Sequence, residues 1–270
     1  MIRGLWTAAS GMTSQQLNVD TISNNLANVN TTGYKKETTN FKSLLYQTME
    51  TANVAGAQAP TSMQVGHGVR ALANSRNYSA GTLQETGNRT DMAIEGNGFF
   101  SVLRGEQETY TKDGSFRIAL TGDGSYALVT SDGHPVLSAE DETILIGQEI
   151  PADKLMVGKD GAVYYTDEET NMRMDIAQLK IVQFANVEGL EAIGSNLYIG
   201  TPASGEPLIE GDADGLVRSS IKTGWLEGSN VQVAEEMVKL IVAQRAYELN
   251  STAIKTVDTM LQQANELKRG

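Results

Sequence analysis

The sequence predicts an α+β chain: long N- and C-terminal helices form a coiled-coil module and bracket an all-β middle domain. Apolar residues recur every seventh position at both ends, as Leu5, Met12, Val19 and Leu26 and as Val233, Leu240, Tyr247, Ile254 and Leu261. That spacing keeps one stripe facing a partner along a supercoiled helix. All five prolines and 23 of the 27 glycines lie between residues 51 and 228, so helix breakers are kept almost entirely out of the two ends. In that middle, short alternating runs are separated by Asp-Gly pairs, the pattern of strands and tight turns.

The first helix is expected from about Gly4 to Asn28, with Ile22 and Val29 extending its stripe. Asn28, Asn30, Thr31 and Thr32 then favour turn conformations, and Gly33 can take the left-handed conformation that closes a helix end. Gly11 within this helix costs about 1 kcal/mol against Ala; it marks either a close helix approach or a helix of mediocre propensity. Phe41 to Met49 reads as a short amphipathic segment on which Phe41 and Leu45, four apart, share a helix face. Glu50 to Gly68, rich in Ala, Thr, Gln and Gly, has no hydrophobic period of its own. It reads as an extended tether or, preferably, a loop ordered by packing against other subunits.

Strands are expected at Phe99-Leu103, Ser115-Ile118, Ser125-Val129, Ala162-Tyr165, Ile176-Phe184 and Asn196-Ile199, with turns at Asp113-Gly114, Asp123-Gly124, Asp132-Gly133 and Asp160-Gly161. The last helix begins near Ser229 or Asn230, where Ser229 and Gln232 are spaced as a capping box and Glu235 and Glu236 fall in the first turns. About 35 residues of helix would reach about 50 Å and need lateral support. The resulting organisation is 1–45, N-terminal helix and start of a core; 46–70, extended stretch; 71–228, mainly-β domain; and 229–270, C-terminal helix packing with the first.

Composition narrows the function classes. The net charge of −12 is divided as +1 over residues 1–50, −13 over 51–228 and 0 over 229–270. Near-neutral helical ends can pack densely with copies of themselves, whereas the acidic middle repels nucleic acid and anionic membrane surfaces. With no cysteine, disulfides, thiol catalysis and Cys-based metal sites are excluded. Neither an apolar leader with a cleavage site nor an apolar run of about 18 residues is present, so membrane insertion is not expected, and any export proceeds without a cleaved signal peptide.

The inventory for chemistry is thin. His67 and His134, the only histidines, sit in turn-like contexts without a His-x-x-x-His pair, and read as ordinary turn or surface residues. Asp212-Ala213-Asp214-Gly215, counted from Glu210, opens like a calcium loop, but its twelfth position is Ile221 where a bidentate Glu is needed. Gly96-Asn97-Gly98 lacks the third glycine of a dinucleotide site and precedes a strand. No Gly-x-Ser-x-Gly elbow or assignable carboxylate pair suggests a hydrolase. The expectation is a non-enzyme with no catalytic, metal or cofactor site.

The run Asn24-Asn25-Leu26-Ala27-Asn28-Val29-Asn30-Thr31-Thr32-Gly33-Tyr34-Lys35 resembles the N-terminal signature of the bacterial flagellar basal-body rod and hook proteins. The resemblance continues, in the family's order, through Gly96-Asn97-Gly98-Phe99-Phe100, Tyr110-Thr111-Lys112-Asp113-Gly114-Ser115-Phe116 and Gln244-Arg245-Ala246-Tyr247-Glu248-Leu249-Asn250. It implies a structural subunit of a hollow helical drive shaft that transmits torque from motor to hook, with terminal helices of many copies inside and β domains outside. The long stretch from Tyr46 to Val69 is similar to that of distal-rod members.

The resemblance gives Asn24, Asn25 and Asn28 an assembly role beside the helix stripes; the plainer reading is helix capping and turn chemistry. Tyr34, Lys35 and Lys36 either fix the turn against the next segment or are solvated. Phe41-Lys42-Ser43-Leu44-Leu45 is similar to the family's export signal, with Phe41 and Leu45 filling a groove on the flagellar type III export gate; the alternative is packing in the assembly. Implied partners are further copies of the chain, other rod and hook proteins, the export gate and surrounding ring proteins. The rival readings are another rod or hook-type subunit of the same family, and an extracellular β-domain binding module.

Overall fold

The computed structural model describes residues 2–50, 53–54, 57–58, 63–121, 124–147, 155–166, 172–211 and 216–269. The chain divides into two units. One contains residues 1–27, 37–77 and 232–270, and the other residues 28–36 and 78–231.

In the helical unit, α1 spans Ile2–Ala27 and α2 spans Val233–Arg269. They pack along one another. Two contacts set an antiparallel register: Gly11 lies against Asn250, and Asn25 Nδ2 donates to Glu236 Oε2 at 3.3 Å. A Cβ on Gly11 would stand 2.9 Å from Asn250 Nδ2, so this glycine marks a close helix approach, one of the two readings its sequence position allowed. Because α2 has 37 residues against 26 in α1, its C-terminal turns run past the start of α1.

Strand Glu37–Ser43 pairs antiparallel with Val69–Arg76, and Tyr46–Glu50 with Met63–Gly66. This corrects the helical reading of Phe41 to Met49: a register of seven ladder pairs from Glu37↔Arg76 to Ser43↔Val69 outcompetes the short local helix pattern. It also gives the described part of the Glu50 to Gly68 stretch strand structure, including the short pair Asn53–Val54 and Ala57–Gln58. The two-strand arm ties back to α1, where Thr21 Oγ1 and Thr39 Oγ1 share a buried hydrogen bond of 2.8 Å.

The β unit is built on a six-stranded sheet in the order Glu191–Gly194, Leu197–Ile199, Gln107–Thr111, Phe99–Arg104, Ile181–Gln183, Leu208–Ile209. Successive side chains of a strand point to opposite faces. Phe100 and Val102 accordingly enter one core with Met92, Phe116, Leu128 and Val163, while Phe99 enters a second with Tyr110, Val182, Phe184 and Tyr198. Burial on both faces explains why Phe99 to Leu103 reads as a nearly unbroken apolar run rather than an alternating one. The second core is aromatic and edge-to-face, with ring centroids 4.8 Å apart for Tyr110–Phe184 and 5.9 Å for Phe99–Phe184.

Two three-stranded sheets flank it: Arg117–Leu120, Tyr126–Val129 and Leu145–Ile146; and Leu155–Val157, Ala162–Thr166 and Arg173–Gln178. The single strand expected over Ile176 to Phe184 is two, in different sheets. The chain changes sheet at Leu179 and Lys180, whose amides donate to Gly161 O and Leu137 O. Two further pairs, Met92–Glu95 with Ser220–Thr223 and Leu83–Glu85 with Trp225–Glu227, complete the unit.

The units depart from the sequence-based boundaries in two places. Residues 28–36 group with the β unit, and residues 37–77 group with the helices instead of beginning the β domain at 71. The last helix starts at Val233, later than expected. Ser229 Oγ accepts from Val231 N, at 3.3 Å, and Asn230 is engaged by residues 36 and 79, which delays the helix until Glu236 N can donate to Gln232 O.

Candidate assembly surfaces

The two heptad stripes are half covered. Leu5, Met12, Val19, Leu26, Leu240, Ile254 and Leu261 are partly buried, while Val233 and Tyr247 are exposed. The buried positions on the two helices are, apart from Ile22, small or polar: Ala8, Ser14, Thr21 and Asn25 on α1, Glu236 and Ala243 on α2. Small residues let the backbones approach, as at Gly11. The consequence is a second apolar face on α2 that no heptad count selects: Val238, Ile241, Val242 and Leu249 are 61, 56, 62 and 71% exposed. Their spacing of three, four and seven residues was the available signal. Trp6 is likewise exposed on α1.

The asparagines separate. Asn25 is buried and its amide reproduces a backbone pair, Nδ2 donating to Glu37 O at 2.8 Å and Oδ1 accepting from Glu37 N at 2.9 Å. Its contact between packed helices, to Glu236, is made inside the subunit. Asn28 Oδ1 accepts from Thr31 Oγ1 at 3.1 Å, a turn contact, and Asn24 is exposed. Phe41 and Leu45 do not share a helix face. Phe41 lies in a strand and is 39% exposed, and Leu45 lies between two strands and is 86% exposed.

Residues 28–36 form a strap on the β unit. Gly33 N donates to Glu227 O at 2.8 Å, Lys36 N to Asn230 Oδ1 at 2.8 Å, and Asn196 Nδ2 to Thr32 O at 2.8 Å. Gly33 has φ of +67°, and a Cβ there would lie 2.7 Å from Asp113 N. The left-handed conformation expected of Gly33 is therefore present, six residues past the end of α1, where it seats the strap and does not close the helix.

Lys35 is buried, with its Nζ donating to Glu227 Oε1 at 2.7 Å and Ser79 O at 2.9 Å; the two side chains are 1 and 2% exposed. Glu227 Oε1 also accepts from Gly81 N at 2.7 Å, while Oε2 is buried with no hydrogen-bond partner among the described residues. Of the two sequence readings of Lys35, the structure takes the one that fixes the turn. Glu227, one charge in the strand Trp225–Glu227, was not singled out beforehand.

Lys112 sits close by, donating to Gly96 O at 2.7 Å and standing 5.1 Å from the Phe99 ring centroid. Burial lowers its pKa from 10.5 to about 8; Glu227 and Glu210 oppose the shift and Lys35 adds to it. Glu210 is held by Ser219 and Gln183, its Oε1 accepting from Ser219 Oγ at 2.6 Å and Gln183 Nε2 at 2.8 Å.

His67 is exposed and His134 partly so. Among the described residues no group of three His, Asp or Glu is placed to hold a metal ion, and no helix is long and apolar enough to cross a membrane. The Asp212 to Gly215 stretch weighed for calcium lies outside the described residues.

Three family models match the chain: a flagella basal body rod protein over residues 5–35, a flagellar hook protein FlgE/F/G D1 domain over 93–165, and a flagellar basal body rod FlgEFG protein C-terminal region over 222–267. The flagellar basal-body rod protein FlgG of Borreliella burgdorferi is 46% identical, covering 100% of both chains. The chain belongs to this rod-protein family. FlgG of Buchnera aphidicola from Schizaphis graminum is 40% identical over 99% of this chain and 100% of its own, and FlgG of Bacillus subtilis 38% over 100% of both. In this chain the Lys35 and Glu227 pair joins the first matched region to the last.

Proposed function

We propose that the chain is a structural, non-enzymatic subunit of the distal part of the bacterial flagellar rod, building with copies of itself a hollow helical shaft that carries torque toward the hook. The observation that carries the reading is the pair of terminal helices with apolar faces left open, in a chain that matches rod proteins from end to end. Val238, Ile241, Val242 and Leu249 on one face of α2, and the half-covered stripes of Leu5, Met12, Val19, Leu26, Leu240, Ile254 and Leu261, each gain about 25 cal/mol for each Å² of apolar area a neighbour covers. Head-to-tail burial of this kind propagates into a filament, and coiled-coil packing between helices of neighbouring copies is the arrangement it favours.

The other partners are adjoining rod and hook proteins, ring proteins around the shaft, and the export gate. Phe41 and Leu45 would meet that gate as an extended segment, since the ladder they belong to or adjoin is a strand pair. The deciding experiment is electron microscopy of purified basal bodies labelled with an antibody to this chain. Label on the shaft between the membrane-proximal rod and the hook is expected; label confined to the hook or to the proximal rod overturns the distal assignment.

A further inference from the structure

Among the described residues, the buried carboxylates are held by partners, with one exception. Glu210 accepts from Ser219 N, Ser219 Oγ and Gln183 Nε2, Glu227 from Lys35, and Glu236 from Lys239. Asp91 is 7% exposed, and among the described residues its carboxylate meets no hydrogen-bond donor and no cation. Only its backbone is engaged, N donating to Asn88 O at 3.2 Å and O accepting from Gly224 N at 2.8 Å. A carboxylate this deep without a partner costs stability. Such a cost marks a place where the chain serves something besides its own fold.

Asp91 lines a cavity of about 360 Å³ within the β unit, inside the range of about 300–1,000 Å³ that ligand pockets occupy. It is bridged to Ser115, and Arg117, two residues further on, lines the same cavity. The exposed Arg117 forms no ion pair with Asp91 or with another carboxylate among the described residues. Two unpaired charges of opposite sign thus share one cavity, together with the apolar Phe116 and Ile118. We propose that this cavity binds a small zwitterion, an α-amino acid with an apolar side chain. Its ammonium meets Asp91, its carboxylate meets Arg117, and its side chain lies against Phe116 and Ile118. A lone cation drawn to Asp91 would meet the charge of Arg117. A lone anion drawn to Arg117 would meet Asp91, in a region that carries −13 over residues 51–228. A zwitterion answers both charges at once. The site is independent of the rod reading, since all its residues belong to the β unit and none to the helices.

Two-dimensional amide NMR of the purified, monomeric full-length chain tests it, with L-leucine as the probe. Saturable shifts confined to residues 88–91 and 115–118 are expected. Isocaproate, which is leucine without its ammonium, and isoamylamine, which is leucine without its carboxylate, should each bind about tenfold more weakly or worse, the loss of one charged contact. Asp91→Asn and Arg117→Met should each weaken leucine binding by a similar factor. Asp91→Asn carries a second readout: without leucine it should not lower the melting temperature of the β unit, because the carboxylate it removes has no partner to lose. Should that variant fail to fold, its carboxylate is part of the fold and the proposal is overturned, while Arg117→Met still reports on the carboxylate end of the ligand. Absence of saturable leucine shifts in the folded wild-type chain also overturns the proposal, as does isoamylamine or isocaproate binding as tightly as leucine.

Discussion

Asn25 shows how much one side chain can hold. Its amide satisfies both the N–H and the C=O of Glu37, and truncation would leave them unpaired in a partly buried setting. Asn25→Ala is expected to cost about 1–3 kcal/mol, read as a lower denaturation midpoint of the helical unit. Lys112 sets a pH dependence. Its folded pKa of about 8 lies below the unfolded 10.5, so between these values the unfolded chain binds more protons and stability rises with pH. The rise is of order 3 kcal/mol at about 1.36 kcal/mol per unit, and it is lost again as pH falls through 8. Glu227, Glu210 and Lys35 are the charged groups acting on it. Lys112→Met should flatten the stability profile between pH 8 and 10.5 in urea titrations; an unaltered slope would place the titration elsewhere.

At the scale of elements, α2 is the least self-sufficient part of the chain. It buries Glu236 and Ala243 against the rest of its unit, yet leaves Val238, Ile241, Val242 and Leu249 open along its length. A carboxylate on the half-covered stripe cannot be desolvated cheaply once a neighbour arrives. Leu240→Asp and Ile254→Asp are therefore expected to abolish filament formation while the β unit keeps its circular-dichroism signature and melting transition. Motile cells with normal rods carrying either substitution would show that this stripe is not an assembly surface. The heptad pattern located these helices because helix periodicity is local. It did not decide that Gly11 lies in the seam between the helices, since the choice of inner face depends on what packs opposite, here Asn250.

At the scale of the molecule, the arm formed by residues 37–77 tests the mechanical side of the rod reading. Its base is tied by the Glu37–Arg76 ion pair and the paired strands, so removing residues 50–65 takes the far end and leaves the base intact. The subunit is expected to fold and be exported and to build a more flexible or curved filament, because an arm lying between neighbours restrains their sliding. Electron microscopy of the deletion strain decides this: straight rods of ordinary length would remove the stiffening role. The sequence by itself determined the terminal helices, the β middle, most of the strand positions and the family, because seven-residue recurrence, alternation and turn dipeptides are written within short windows of chain. Only the tertiary structure decided that Phe41 lies in a strand, that residues 28–36 belong to the β unit, and that Lys35 is buried against Glu227. Those outcomes rest on pairings across distant positions, 192 residues apart for Lys35 and Glu227, where the stabilising contact exists only after the chain has closed on itself.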